Sequence, residues 1–136
     1  MKLLILVGIA LATTSRHSAI AQSRAQPKAS PAAVGTWRGT STCLVRPSAC
    51  NDEVVVFRIS AMKTADSLAL DGRRITRGEE VEMGVLACHW LASSGEITCN
   101  IPQGVWRFTV RNDSLSGELR GASNTRTRDV RTVRVP

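Results

Sequence analysis

The chain is 136 residues long, 43% hydrophobic and 21% charged, with 18 Lys and Arg against 11 Asp and Glu. That length holds one domain and leaves no room for a cofactor domain beside a substrate domain; the composition is globular rather than disordered. The net charge is +7, and no apolar run reaches the roughly 18–20 residues that a membrane-spanning helix needs.

The amino-terminal stretch has the three parts of a secretory signal. Lys2 is the positive start, Leu3 to Ala12 is the apolar core, and Ala19-Ile20-Ala21 is a small-residue cleavage pattern. Arg16 and His17 end the apolar run. The expectation is a leader over residues 1–21, removed after Ala21, and export to the periplasm or beyond the cell. Residues 22–34 (QSRAQPKASPAAV) are rich in Ala, Pro, Ser and Gln without periodicity, which reads as a flexible lead. A single folded domain is expected over residues 35–136.

From Gly35 onward the pattern has period two, broken every eight to twelve residues or so by Gly, Pro, Asn, Asp and Ser, the signature of an all-β chain. The first strand is Gly35 to Cys43, with Trp37, Gly39, Ser41 and Cys43 on one face. The second is Glu53 to Ser60, with Val55, Phe57 and Ile59 inward. A short third is expected around Ser67 to Leu70, because Asp71-Gly72 is a strong hairpin-turn signal. The longest runs from Val81 to Trp90, and Ser94-Gly95 turns the chain into Glu96 to Ile101. Val105 to Arg111 follows with Trp106, Phe108 and Val110 on one face, then Ser114 to Arg120, and last about Thr125 to Val135. No segment of the domain shows helical spacing of apolar residues.

About eight antiparallel strands in simple succession would leave two exposed edges unless the sheet closes. Eight is also the strand number whose barrel interior is filled by side chains or holds one small ligand. The expected architecture is therefore an up-and-down barrel, with a two-sheet β-sandwich as the alternative. Gly35-Thr36-Trp37 on the first strand resembles the Gly-x-Trp opening of the lipocalin-like (calycin) barrels. That resemblance implies an eight-stranded barrel and a small hydrophobic ligand in its cavity. It also implies that the Trp closes one end while an Arg from the last strand packs across it, here Arg131 or Arg134.

Cys43, Cys50, Cys88 and Cys99 all lie in the domain. An even count in an exported chain favours disulfides over free thiols or a metal site. Of the three possible pairings, the local one is expected, Cys43 with Cys50 and Cys88 with Cys99, because each pair flanks turn-forming residues. Neither spacing is that of a CxxC redox thiol.

An enzyme needs acids, bases or nucleophiles in workable geometry. The domain has a single His, His89, which by alternation shares a partly inward face with Val81, Met83, Val85 and Ala87. No nucleophile is at hand for it, so catalysis is not expected. Glu79 and Glu80 are adjacent and would point to opposite sides of a strand, reading with Glu82 as a solvated turn; no metal and no cofactor are expected. The carboxyl-terminal Arg126, Arg128, Arg131 and Arg134 form a basic stripe, Arg126 and Arg128 on one face, suited to an acidic protein or envelope surface. Nucleic acid is not expected, because the aromatics needed for base stacking fall on the core faces. The primary expectation is an exported binding module for a small apolar or amphipathic ligand, contacted by Trp37, Phe57, Met83, His89, Trp106 and Phe108. The alternative is an interaction module, such as an inhibitor of a hydrolase or an envelope-associated factor, using the Cys43–Cys50 loop or the basic last strand.

Overall fold

The computed structural model describes residues 31–46 and 49–136. The expected leader and residues 22–30 of the expected lead lie outside the described residues. Eight strands follow in chain order: β1 (Gly35–Cys43), β2 (Glu53–Ala61), β3 (Ser67–Thr76), β4 (Glu79–Leu91), β5 (Glu96–Ile101), β6 (Gly104–Arg111), β7 (Ser114–Gly121) and β8 (Arg126–Val135). Each pairs antiparallel with its neighbours, and β8 returns to β1, so the sheet closes as an up-and-down barrel. The closing seam runs from Thr36 opposite Val135 to Cys43 opposite Arg128. Closure removes the two edges that an open sheet of this order would expose. No helix of the described residues is long and apolar enough to cross a membrane.

Alternation along the strands sorts side chains between core and solvent. Trp37, Ser41 and Cys43 of β1 turn inward, as do Val55, Phe57 and Ile59 of β2. Leu68, Ile97, Phe108, Leu115 and Val130 join them from five further strands and are almost wholly removed from water. Val56 is buried on the outer face, where the register sets it between Arg38 on β1 and Arg73 on β3.

One end of the barrel is sealed by residues just before β1. Ala33 is fully buried, and its carbonyl accepts a 2.9 Å hydrogen bond from the Trp37 indole. Arg134 lies over the same indole, 4.2 Å from the ring centroid. Its guanidinium also donates to the carbonyls of Ala32 (2.6 Å) and Val34 (2.8 Å). Of the two arginines considered from the sequence, Arg134 takes this place, while Arg131 points to solvent. The folded unit thus begins before Gly35, because an amino-terminal segment satisfies polar groups that the barrel end would otherwise leave open.

The third strand differs from expectation. β3 runs straight through Asp71-Gly72 to Thr76, and the chain reverses at Arg77-Gly78 instead. Both turn residues have positive φ, 54° and 83°, as a type I′ turn requires. Gly72 is held extended between Phe57 on β2 and Gly84 on β4, so cross-strand pairing overrides the local turn signal. Beyond it the register slips: Gly72 faces Gly84, but Arg73 faces Glu82. Met83 is therefore the extra residue of a β-bulge.

The disulfides join Cys43 to Cys50 and Cys88 to Cys99, and no cysteine among the described residues is free. Cys88 and Cys99 sit across β4 and β5 with Cα atoms 4.3 Å apart, the spacing of a directly opposed pair without ladder hydrogen bonds. Closing so short a loop restricts the unfolded chain, and Cys88→Ala/Cys99→Ala is expected to cost about 3 kcal/mol. Urea melts of the double variant against the parent would show this; an unchanged midpoint would mean that the bridge contributes nothing to stability.

Candidate functional site

Near the other end, the interior is not filled. A cavity of about 350 Å³ lies between β3, β4 and the β5–β6 hairpin, toward the small end of the ~300–1,000 Å³ range of ligand sites. Its floor is Phe57, Leu70 and Phe108, all buried. Phe57 meets Phe108 edge to face with centroids 5.6 Å apart, and Trp106 stacks on Phe108 at 5.4 Å. The mouth is formed by Met83, Pro102 and Gln103, which reach solvent. No charged side chain lines it.

Two glycines keep this space open. Gly72 and Gly84 stand opposite each other on adjacent strands and both line the cavity. A Cβ on Gly84 would touch nothing within 4 Å, and one on Gly72 would find only ordinary contacts at 3.7–3.8 Å. At the inward Gly117, by contrast, a Cβ would come within 2.2 Å of the Phe108 ring. The barrel has no room for a Cβ where Gly117 sits, whereas Gly72 and Gly84 each have room for one.

Of the residues nominated from the sequence, the structure brings together Phe57, Met83, Trp106 and Phe108. Trp37 neighbours Phe57 across the β1–β2 ladder but does not line the cavity, since Ala33 and Arg134 enclose it at the sealed end. His89 lies elsewhere. Cys88 and Trp90 are buried, so the alternate residues Val85, Ala87 and His89 are on the outer face and exposed. The bulge at Met83 is the reason: it breaks the alternation that would have put Met83 and His89 on one side. Leu70, Leu86, Ile101 and Gln103 belong to the site without having been nominated. Leu86 and Ile101 were discernible as apolar strand residues, whereas Gly72 and Gly84 carried no signal of an opening.

The cavity opens where β4 and β5 part. Their ladder covers only His89–Leu91 against Glu96–Thr98, and the Cys88–Cys99 bridge lies at its end. From Glu79 to Ala87, β4 has ladder partners only on β3 among the described residues. The Trp90 N–H bonds to Asp66, on the β3 side. By alternation the backbone groups of Val85 and Ala87 point the other way, into the gap.

The carboxyl-terminal arginines do not form one surface. Arg128 turns inward, bonding the Ser41 hydroxyl at 2.9 Å and the Asn51 carbonyl at 3.0 Å, with Glu53 at 3.5 Å. Arg134 covers Trp37. Arg126 and Arg131 face outward in a shallow polar groove shared with Glu96, Glu118 and Asp129. The expectation that Arg126 and Arg128 share a face is corrected by a register slip in β8: Arg120 faces Arg126, yet Leu119 faces Arg128, with Thr127 between. Arg126 pairs with Glu118 (3.2 Å) and Arg131 with Asp129 (3.3 Å), so the outward charge is largely compensated.

The Cys43–Cys50 loop is pinned by Asp52, whose carboxylate accepts from the Cys43 N–H at 2.8 Å and Arg46 at 2.6 Å, and it leaves Leu44 and Val45 exposed. Glu80 accepts two hydrogen bonds from Arg58, at 2.8 and 2.9 Å, which hold its carboxyl below the usual carboxylate range. Glu79 and Glu82 have no ion-pair partner among the described residues. Among those residues no cluster of three or more His, Cys, Asp or Glu converges as metal ligands would. No protein family, curated protein or solved structure matches the chain.

Proposed function

We propose that the protein is an exported, non-catalytic binding module, a lipocalin-like barrel that takes a small apolar or amphipathic ligand into the cavity on Phe57, Met83, Trp106 and Phe108. The observation that carries this reading is the cavity itself: about 350 Å³ of mostly apolar space, lined by two facing glycines. Empty apolar space forfeits the contacts of its lining, and an occupant restores them. The Trp37–Arg134 arrangement supports the lipocalin-like part, and two disulfides fit an oxidising compartment.

The test is Gly72→Val, which sets three carbons into the cavity at a position with room and without positive φ. The uncharged apolar dye N-phenylnaphthylamine is expected to brighten on the parent protein and to bind at least about tenfold more weakly to the variant, a difference of ~1.4 kcal/mol. The variant should melt with the parent or above it. Equal dye binding by the two proteins would sink the cavity as the site. A second reading, an interaction module such as a hydrolase inhibitor, draws on the pinned loop with Leu44 and Val45 exposed. Native mass spectrometry of protein from its own exported fraction separates the two readings, since a co-purifying small molecule belongs to the first.

A further inference from the structure

The gap between β4 and β5 joins three things that a simple ligand pocket does not need. The first is an unpaired strand edge: β4 from Glu79 to Ala87 has no ladder on the β5 side, and the Val85 and Ala87 backbone groups point into the gap. Such an edge is a template for another strand, and proteins ordinarily cover or blunt it. The second is apolar exposure along that same edge, where Val81, Met83 and Val85 are 37%, 45% and 60% exposed. The third is charge. Glu79 and Glu82 lie exposed on this edge without ion-pair partners among the described residues, on a chain whose net charge is positive.

We infer that the β4 edge accepts an extended peptide as an added strand, with a large apolar side chain of that peptide entering the cavity and basic residues beside it meeting Glu79 and Glu82. This rests on the cavity being a binding site and names the class of its occupant. Strand addition draws affinity from main-chain hydrogen bonds and specificity from a pocket for an alternate side chain. Here the Val85 and Ala87 backbone supplies the bonds, and the space beside Met83, Leu86 and Trp106 supplies the pocket. A volume of about 350 Å³ admits the largest aromatic side chain with room to spare, since ~150 Å³ already takes a benzene ring. Glu79 and Glu82, without ion-pair partners among the described residues although Arg73 stands opposite Glu82 on β3, favour Lys or Arg beside it.

The experiment is a selection from displayed random nonapeptides on the full exported chain, run in parallel on Val85→Pro. The Val85 N–H faces the gap and not β3, so proline there removes a docking donor while leaving the β3–β4 ladder whole, as proline does on edge strands. The expected result is enrichment of sequences with one large apolar residue flanked by Lys or Arg, binding Val85→Pro at least tenfold more weakly. A synthetic copy of the best sequence, N-methylated at alternate amides, should lose binding to the parent to the same degree. Amide-exchange protection at Val85 and Ala87 should appear only with the unmethylated peptide.

No enrichment, or equal binding by Val85→Pro, overturns the proposal. If the dye still enters the cavity in a Gly72-dependent way, the small-ligand reading stands without this one; if neither dye nor peptide binds, both fall. A concentration-dependent dimer lost in Val85→Pro would assign the edge to a second copy of the chain and would equally overturn the peptide.

Discussion

Gly39→Ala is expected to prevent the barrel from closing. A Cβ built on Gly39 would lie 2.0 Å from the Arg131 carbonyl oxygen and 2.7 Å from the Thr132 Cα. Both are backbone atoms of β8, so no side chain can swing aside to make room. Relief requires β8 to move away from β1 by an ångström or more, across the middle of the seam that pairs Thr36–Cys43 with Arg128–Val135. Ordinary overpacking costs about 1–3 kcal/mol, but here a ladder must yield, and the expected loss exceeds ~3 kcal/mol out of a total of about 5–15. Gly117→Ala is the informative contrast, because its clash is with the Phe108 ring, which can turn toward the cavity. Urea melts should rank the parent first, Gly117→Ala next and Gly39→Ala last. A Gly39→Ala protein within about 1 kcal/mol of the parent would show that the β1–β8 seam yields to an added methyl group.

The second large effect belongs to Trp37. Truncating this fully buried side chain to alanine should cost about 3–5 kcal/mol from lost packing. It also orphans the Ala33 carbonyl and uncovers the guanidinium of Arg134. At roughly 4–8 °C per kcal/mol for a domain of this size, the melting midpoint should fall by about 12–40 °C. Arg134→Gln keeps a polar group but gives up the planar cation over the indole, and with it the fork that donates to Ala32 and Val34. Its expected cost is about 1–3 kcal/mol. Calorimetry of the two single variants and the double variant checks the coupling. If their losses simply add, Arg134 and Trp37 act independently and the sealed end is not a unit.

The strands were legible wherever alternation ran unbroken. Trp37 and Cys43 on β1, Val55, Phe57 and Ile59 on β2, and Phe108 and Val110 on β6 all turned inward as their spacing implied. The pairing of Cys43 with Cys50 and of Cys88 with Cys99 followed from what lay between each pair. What escaped notice has one physical origin, pairing between residues far apart in the chain. Asp71-Gly72 has the local preferences of a tight turn, yet Phe57 and Gly84 hold it in a strand. Met83 looks like any other position of β4 until β3 slips past it, and from there His89 faces outward. Thr127 does the same to Arg126. An inserted bulge residue leaves no trace in a period-two pattern, because it is the partner strand that defines it.

For the candidate site the same rule held in part. Large apolar residues announced themselves, and four of the six nominated contacts surround the cavity. Trp37 was misplaced because a buried aromatic can belong to a wall or to a plug, and the plug is made by Ala33 from a stretch whose composition suggested no contact at all. The opening was invisible for a different reason. It is defined by what Gly72 and Gly84 lack and by where β5 stops following β4.

The seal at the Trp37 end has a mechanical consequence. The described chain enters β1 and leaves β8 at this same end, where Thr36 faces Val135. A pull on the two strands from there loads their ladder like a zipper, one pair at a time, rather than shearing all pairs together. Little force would suffice once peeling began. The grip of Arg134 on the carbonyls of Ala32 and Val34 sits at the very first tooth, so it works as a latch. Tension has to undo that clasp before it reaches a single rung of the seam.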